Sequence, residues 1–73
     1  MKPLTQMKSG ETGKIDFVLY YGNNLFFRMN ALGIRVGNEI KVLRNLWFFP
    51  IHIRISTTEM FIRRKDAQNI WID

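Results

Sequence analysis

The 73-residue sequence contains no cysteine, a single histidine and only two prolines. Without cysteine, no disulfide can cross-link the chain and no thiolate can ligate a metal. The longest apolar run, residues 46–51, is far too short to span a bilayer, and the N-terminus lacks the apolar segment of a secretory signal. We therefore expect one cytoplasmic domain over residues 1–73 with no disulfide.

Residues suited to catalysis are equally scarce. Nucleophilic catalysis needs a nucleophile, a base and an orienting group, and the one imidazole, His52, falls on the outer face of a predicted strand, where a solvated or hydrogen-bonded surface role is expected. Asp16 and Glu39 fall on polar strand faces and are interpreted as surface charge rather than as a catalytic pair. We predict no catalytic residue, no metal ligand set and no cofactor, and hence no enzyme.

The composition favours a folded, basic domain. Apolar residues make up 47% of the chain, aromatic residues make up 14%, and the net charge is +5. Large aromatic side chains are expected to supply much of the core of so small a domain. The positive charge favours anionic partners such as nucleic acid, acidic protein or anionic lipid.

Alternating apolar residues predict five short strands. The first, over residues 14–20, is expected to bury Ile15, Phe17 and Leu19. The others are a strand over 39–42, one over 51–56, one through Met60 and Ile62 after a hairpin turn at Thr57-Thr58, and one over 70–72. Five such strands joined by tight turns predict a mainly β fold, a small barrel closed so that few strand edges stay unpaired.

A short helix is predicted over about residues 24–32. Asn23 or Asn24 is placed to cap its N-terminus, and Gly33 is placed to end it in the left-handed conformation. Gly10 and Gly37 are interpreted as turn residues, and residues 65–69 as a helical turn. The helix face that should pack on the barrel consists of Leu25, Met29 and Leu32.

Three features are candidates for binding. Trp47, Phe48 and Phe49 lie between two strands, where polar turn residues are usual, and either fold back into the core or form an exposed patch for a partner or a second copy. Arg63, Arg64 and Lys65 form either a solvated charge run or a contact for an anionic partner. In the helix, Arg28 is either structural or partner-facing.

The order of these motifs resembles that of FeoA domains. The segment over 4–15, with Gly10 and Gly13, resembles the family's start, and residues 28–34 with Gly37 resemble its central Arg-Leu-x-x-Leu-Gly signature. Residues 39–42, 50–53 and 62–70 are similar to the family's following strands and its closing Leu-Arg-x-x-x-Ala-x-x-Ile pattern. The resemblance therefore covers essentially the whole chain.

Four departures from the family pattern stand out. Val36 replaces a usual proline, Thr57 stands near a common hairpin glycine, and Phe61 replaces a small residue. These three are expected to affect turn detail. The aromatic run 47–49 replaces a smaller and more polar loop, which indicates a partner surface specific to this branch.

The resemblance implies a five-stranded Src-homology-3-like barrel with one helix. It also implies a non-enzymatic, cytoplasmic accessory protein of bacterial ferrous iron uptake that binds the cytoplasmic GTPase region of an FeoB-type permease, and that reaches the membrane only through it. Three alternatives stay open: a small nucleic-acid-binding barrel, a direct ferrous ion carrier, and the metal-responsive barrel domain of iron-dependent repressors. Because the chain starts at its own Met1, the standalone protein is expected rather than a repressor domain. Homo-oligomers also stay open.

Overall fold

In the computed structural model, residues 1–19 and 23–73 are described, and the side chains of residues 23–26 are not. Strands β1 (Lys2–Pro3), β2 (Thr12–Val18), β3 (Glu39–Arg44), β4 (Ile51–Ile55), β5 (Thr58–Ile62) and β6 (Ile70–Ile72) fall in the described part, together with helices α1 (Asn23–Ala31) and α2 (Arg64–Ala67) and a 3-10 turn (Leu4–Gln6). The mainly β prediction is confirmed.

The strands form one antiparallel sheet in the order β1-β6-β2-β3-β4-β5. Two predictions are corrected here. Six strands are present among the described residues rather than five, because Lys2–Pro3 is too short to show an alternating pattern yet pairs with β6. The sheet is also not closed, since β1 and β5 remain as its two edges.

The predicted burial of β2 is only partly right. Ile15 is buried as expected, but Phe17 and Leu19 are exposed and Val18 is buried instead. The pairing of β2 with β6 shifts register between Ile15 and Phe17, which marks a β-bulge. Because side chains alternate between the two faces of a strand, one extra residue moves all later side chains to the opposite face.

The core is aliphatic. Among side chains that the structure describes, no aromatic ring belongs to it, so the expectation that aromatic residues fill the core is wrong for the described rings. The predicted alternation in β3, β4 and β6 is confirmed. The buried apolar residues are Leu4, Met7, Ile15, Val18, Met29, Ile34, Ile40, Val42, Ile51, Ile53, Ile55, Ile62, Ala67, Ile70 and Ile72.

Helix α1 ends as the sequence predicts. Gly33 has a φ of 87° and donates to the Asn30 carbonyl, while the Ile34 amide donates to the Met29 carbonyl at 2.9 Å. These two bonds are the Schellman arrangement, in which the residue after the glycine packs back on the last turn. Accordingly Met29 and Ile34 are both buried, whereas Leu32, predicted for the packing face, is exposed.

The side chains of Leu25, Asn23 and Asn24 lie outside the described ones. Gly10 and Gly37 have positive φ in turns, as predicted. The helical turn predicted over 65–69 is α2 followed by a turn.

The β4–β5 hairpin turn lies one residue earlier than predicted. Ile55 pairs with Thr58, which leaves Ser56 and Thr57 as the two-residue loop. Ser56 has a φ of 57°, a conformation that a two-residue hairpin requires and that glycine adopts most easily. The left-handed position of this turn is therefore occupied by Ser56, next to Thr57.

Glu11 fastens the N-terminal segment to the sheet. Its carboxylate accepts from the Lys8 backbone amide at 2.6 Å and from the Lys2 ammonium at 2.9 Å. The Lys8 amide first and the Lys2 ammonium second hold the pKa of Glu11 below its ordinary value. The segment is thus held by its own charges as well as by the burial of Leu4 and Met7.

Candidate functional site

Residues 46–49, which we call the aromatic loop, connect β3 to β4 and point into solvent. Trp47 is 76% exposed, Phe48 75% and Phe49 60%. The rings of Trp47 and Phe48 lie 3.9 Å apart, and the Phe49 amide donates to the Leu46 carbonyl across the turn. The alternative in which these rings fold back into the core is therefore wrong, and they form an exposed apolar patch.

The loop overhangs a groove on the outer face of the sheet. Arg44 on β3 stands opposite His52 on β4, which in turn stands opposite Phe61 on β5. This row forms the floor, and Leu46, Phe49 and Pro50 form a wall. The groove has a volume of about 330 Å³ and its lining is mainly apolar.

The floor of the groove is held in place by two contacts of His52. Its ring stacks on Phe61, with centroids 4.5 Å apart and 16° between the planes. Its Nε2 atom lies 2.9 Å from Glu59 Oε1, within hydrogen-bonding distance. His52 therefore lies on the outer face of β4, as predicted, and is half-buried with Glu59 as its polar neighbour. Phe61 is 69% exposed, and sequence reasoning missed its part in the groove although it was the odd residue on a polar strand face.

Asn45 anchors the base of the aromatic loop. Its Nδ2 donates to the carbonyls of Met7 at 2.6 Å and Thr5 at 3.1 Å, and its backbone amide donates to Ser9 Oγ at 3.0 Å. On the other side, Arg64 Nη2 donates to Asn45 Oδ1 at 2.5 Å. One side chain thus joins the N-terminal segment, the loop and α2.

The basic run at residues 63–65 is divided by the structure. Arg64 reaches Asn45 and also donates to the Leu46 carbonyl, so its guanidinium holds the aromatic loop. Arg63 is exposed, with its Nε 3.6 Å from the Asp66 carboxylate, and Lys65 is exposed as well. Sequence reasoning treated the three as one run because the fold, not the spacing, directs Arg64 towards the loop.

Arg28 lies apart from the aromatic loop. Arg28 is exposed on α1. The C-terminal end of this helix lies close to Ile55, since a Cβ placed on Gly33 would be 3.5 Å from Ile55 Cγ2. The aromatic loop joins β4 at the other end of that strand, by Ile51. The sequence-predicted candidates therefore fall into two separate regions, with Arg64 and the loop together and Arg28 elsewhere.

Residues 1–19 and 23–73 contain neither a cluster of metal ligands nor a membrane-spanning helix. No group of three or more His, Cys, Asp or Glu side chains is arranged to hold a metal ion. In the same part of the chain, no helix has the length and apolar character needed to cross a membrane. Asp16 and Glu39 are both exposed, as expected for surface charge.

The sequence matches the FeoA domain family over residues 2–73. The chain belongs to the FeoA domain family. The resemblance inferred from the motif order is thereby confirmed. No curated protein matches the sequence.

Solved structures show the same fold. An iron uptake regulatory protein, FeoA, superposes with a TM-score of 0.86 at 25% identity, covering 99% of this chain and 93% of its own. An FeoA of Stenotrophomonas maltophilia complexed with zinc, described as a prokaryotic SH3 domain protein, gives 0.84 at 17% identity over 100% and 91% of the two chains. The Src-homology-3-like fold is therefore confirmed.

A manganese-dependent transcriptional repressor also contains this fold. It superposes with a TM-score of 0.90 at 20% identity, and this FeoA-family chain covers 40% of it while 99% of the chain is matched. At that identity the likeness shows the fold alone.

Proposed function

We propose that this FeoA-family protein is a non-enzymatic accessory protein of bacterial ferrous iron uptake and that it binds the cytoplasmic portion of an FeoB-type permease through the aromatic loop. Family membership supports the role in iron uptake. The single observation that supports the binding surface is the exposure of Trp47, Phe48 and Phe49 on a domain whose described core contains no aromatic ring.

The physical reason is the cost of leaving these rings in water. Burying apolar surface contributes about 25 cal/mol per Å², so three neighbouring rings that are largely exposed in the monomer can contribute several kcal/mol to a complex. Aromatic residues are also enriched among the side chains that dominate binding energy at interfaces. The bonds of Asn45 and Arg64 hold the loop, which lowers the entropy lost on binding.

A pull-down with the permease's cytoplasmic portion tests the proposal. The triple variant Trp47→Ala, Phe48→Ala, Phe49→Ala is expected to lose capture while keeping its thermal melting transition, because these side chains lie outside the core. The matched control removes three exposed apolar side chains elsewhere, by Phe17→Ala, Leu32→Ala and Val36→Ala. Equal capture of wild type and loop variant would remove the loop from the proposal.

The alternatives are less well supported. A nucleic-acid-binding surface would combine aromatic rings with a basic track. Beside the aromatic loop, such a track would rest on Arg44 with Lys41 and Arg54 in the next row, because Arg64 is bonded to the loop's own backbone. A ferrous carrier would need a ligand set, and the described residues offer no such group. A titration with single-stranded oligonucleotides at two salt concentrations separates the first alternative, since phosphate contacts weaken steeply with salt.

A further inference from the structure

The groove beside the aromatic loop has the features of a binding site for one apolar side chain. Its floor is the stacked pair His52 and Phe61, and its wall is formed by Leu46, Phe49 and Pro50. At about 330 Å³ it lies at the lower end of the sizes of small-ligand pockets. A groove of this size suits a single large side chain better than a folded surface.

The floor residues contact one another in the unliganded protein. His52 is held by Glu59 on one side and by Phe61 on its face, and the wall is held at its base by Asn45 and Arg64. A site whose side chains are already ordered loses less entropy on binding. The side chains that line the groove therefore contact one another without a ligand present.

The charged residues around the groove indicate which polar group a ligand would carry next to its apolar side chain. Arg44 closes one end of the floor row and is exposed. The next row of paired residues on the same outer face consists of Lys41, Arg54 and Glu59. The Glu59 carboxylate lies against His52, so it does not neutralise Arg44. A ligand in the groove therefore lies beside the Arg44 guanidinium. Guanidinium groups form bidentate hydrogen bonds with carboxylates.

We propose that this groove binds a short acidic peptide segment, in which an aromatic or branched apolar side chain enters the groove and a neighbouring carboxylate pairs with Arg44. This inference rests on the proposed function in one respect, namely the identity of the protein that contains the acidic segment. A second copy of this chain is disfavoured as the occupant, because each copy has a net charge of +5 and like charges oppose association.

Two small probes that differ only in charge test the site on the full chain. N-acetyl-tryptophan carries the ring and a carboxylate, and N-acetyl-tryptophanamide carries the same ring without the charge. Each is titrated into the ¹⁵N-labelled protein, and backbone amide shifts are followed by NMR. Both probes are expected to shift amides of residues 44–52 and 59–62. The carboxylate probe should bind about two- to fivefold more tightly, the range for an exposed ion pair.

Two arginine variants distinguish a specific ion pair with Arg44 from a general effect of the protein's positive charge. Arg44→Gln should abolish the preference for the carboxylate probe. Arg63→Gln, which removes the same charge from an exposed arginine at the N-cap of α2, should keep it. Phe61→Thr, a residue suited to an exposed strand position, should weaken both probes. Equal affinity of the two probes for wild type, shifts that map elsewhere, or a preference lost equally in both arginine variants would overturn the proposal.

The outcomes also distinguish this inference from the proposed function. If the probes bind as expected but the permease portion is not captured, the groove stands and the proposed partner fails. If the permease is captured by wild type and by Arg44→Gln alike while neither probe binds, the groove inference fails and the accessory role stands. A dimer that the tryptophan probes dissociate would contradict the inference, because the occupant would then be a second copy.

Discussion

Removing the side chain of Asn45 is the sharpest test of how the aromatic loop is held. In Asn45→Ala, the Thr5 and Met7 carbonyls lose their donor and Arg64 loses one of its two acceptors. Each neutral hydrogen bond contributes about 0.5–1.5 kcal/mol net, and a bond to a charged group about 1.5–3 kcal/mol. Because Arg64 still reaches the Leu46 carbonyl and water reaches part of the site, we expect a loss of about 2–3 kcal/mol.

Urea denaturation measures this loss. With a slope of about 1 kcal/mol per molar urea for a small domain, the midpoint should fall by about 2–3 M at unchanged slope. The matched control is Asn69→Ala, which removes a single exposed bond of 3.3 Å to the Lys65 carbonyl and should change stability by less than about 0.5 kcal/mol. If both variants shift the midpoint equally, Asn45 does not join the three segments as argued.

The side-chain amide and its carbonyl can be tested separately. Asn45→Asp keeps an acceptor for Arg64 but replaces the amide donor with a carboxylate oxygen facing the carbonyls of Thr5 and Met7. We expect a loss of stability of about 1–3 kcal/mol at neutral pH, because the carboxylate oxygen would face two carbonyl oxygens without a donor at a part-buried site. The charged bond to Arg64 should offset part of this loss. An unchanged midpoint would mean that Arg64 alone accounts for the role of Asn45.

Three further predictions concern the scaffold. Gly33→Ala should lower stability by about 1 kcal/mol in thermal melts, because its φ of 87° is costly for a side chain although the Cβ has room; no change would contradict the helix-end account. Gly13→Ala should cost more, about 1–3 kcal/mol, since its Cβ would lie 2.4 Å from Ile72 Cγ2; a smaller loss than for Gly33→Ala would refute this. The lowered pKa of Glu11 adds stability that is fully present above pH 4.5 and is lost as the pH falls through the lower folded pKa. The difference in urea midpoint between wild type and Glu11→Gln should therefore shrink below pH 4.5, and a difference independent of pH would contradict the assigned bonds.

Much of the scaffold follows from local patterns. The strict alternation in β4 predicts its three buried isoleucines, and the helix end at Gly33 follows from the need for a left-handed residue. Strand β1 and the bulge in β2 could not be predicted from local patterns, and each has a physical reason. A two-residue strand such as β1 has no period to detect, and the bulge near Phe17 is set by pairing with β6, which lies more than 50 residues away.

The candidate site is only partly foreseeable. The aromatic run 47–49 is conspicuous in the sequence, but whether it is core or surface depends on whether aliphatic residues already fill the interior. Phe61 and Arg44 come together only through strand register across β3, β4 and β5. Likewise the role of Arg64 depends on where α2 places its side chain relative to Asn45. Spacing along the chain contains none of this information.

Hydrogen exchange of this protein, measured with and without the permease's cytoplasmic portion, reports whether the aromatic loop is the binding surface. Binding through the aromatic loop predicts new amide protection concentrated in residues 44–52 and in β5, and predicts that the triple alanine variant of residues 47–49 loses it. Protection confined to α1 around Arg28, or protection that persists in the triple variant, would contradict the account.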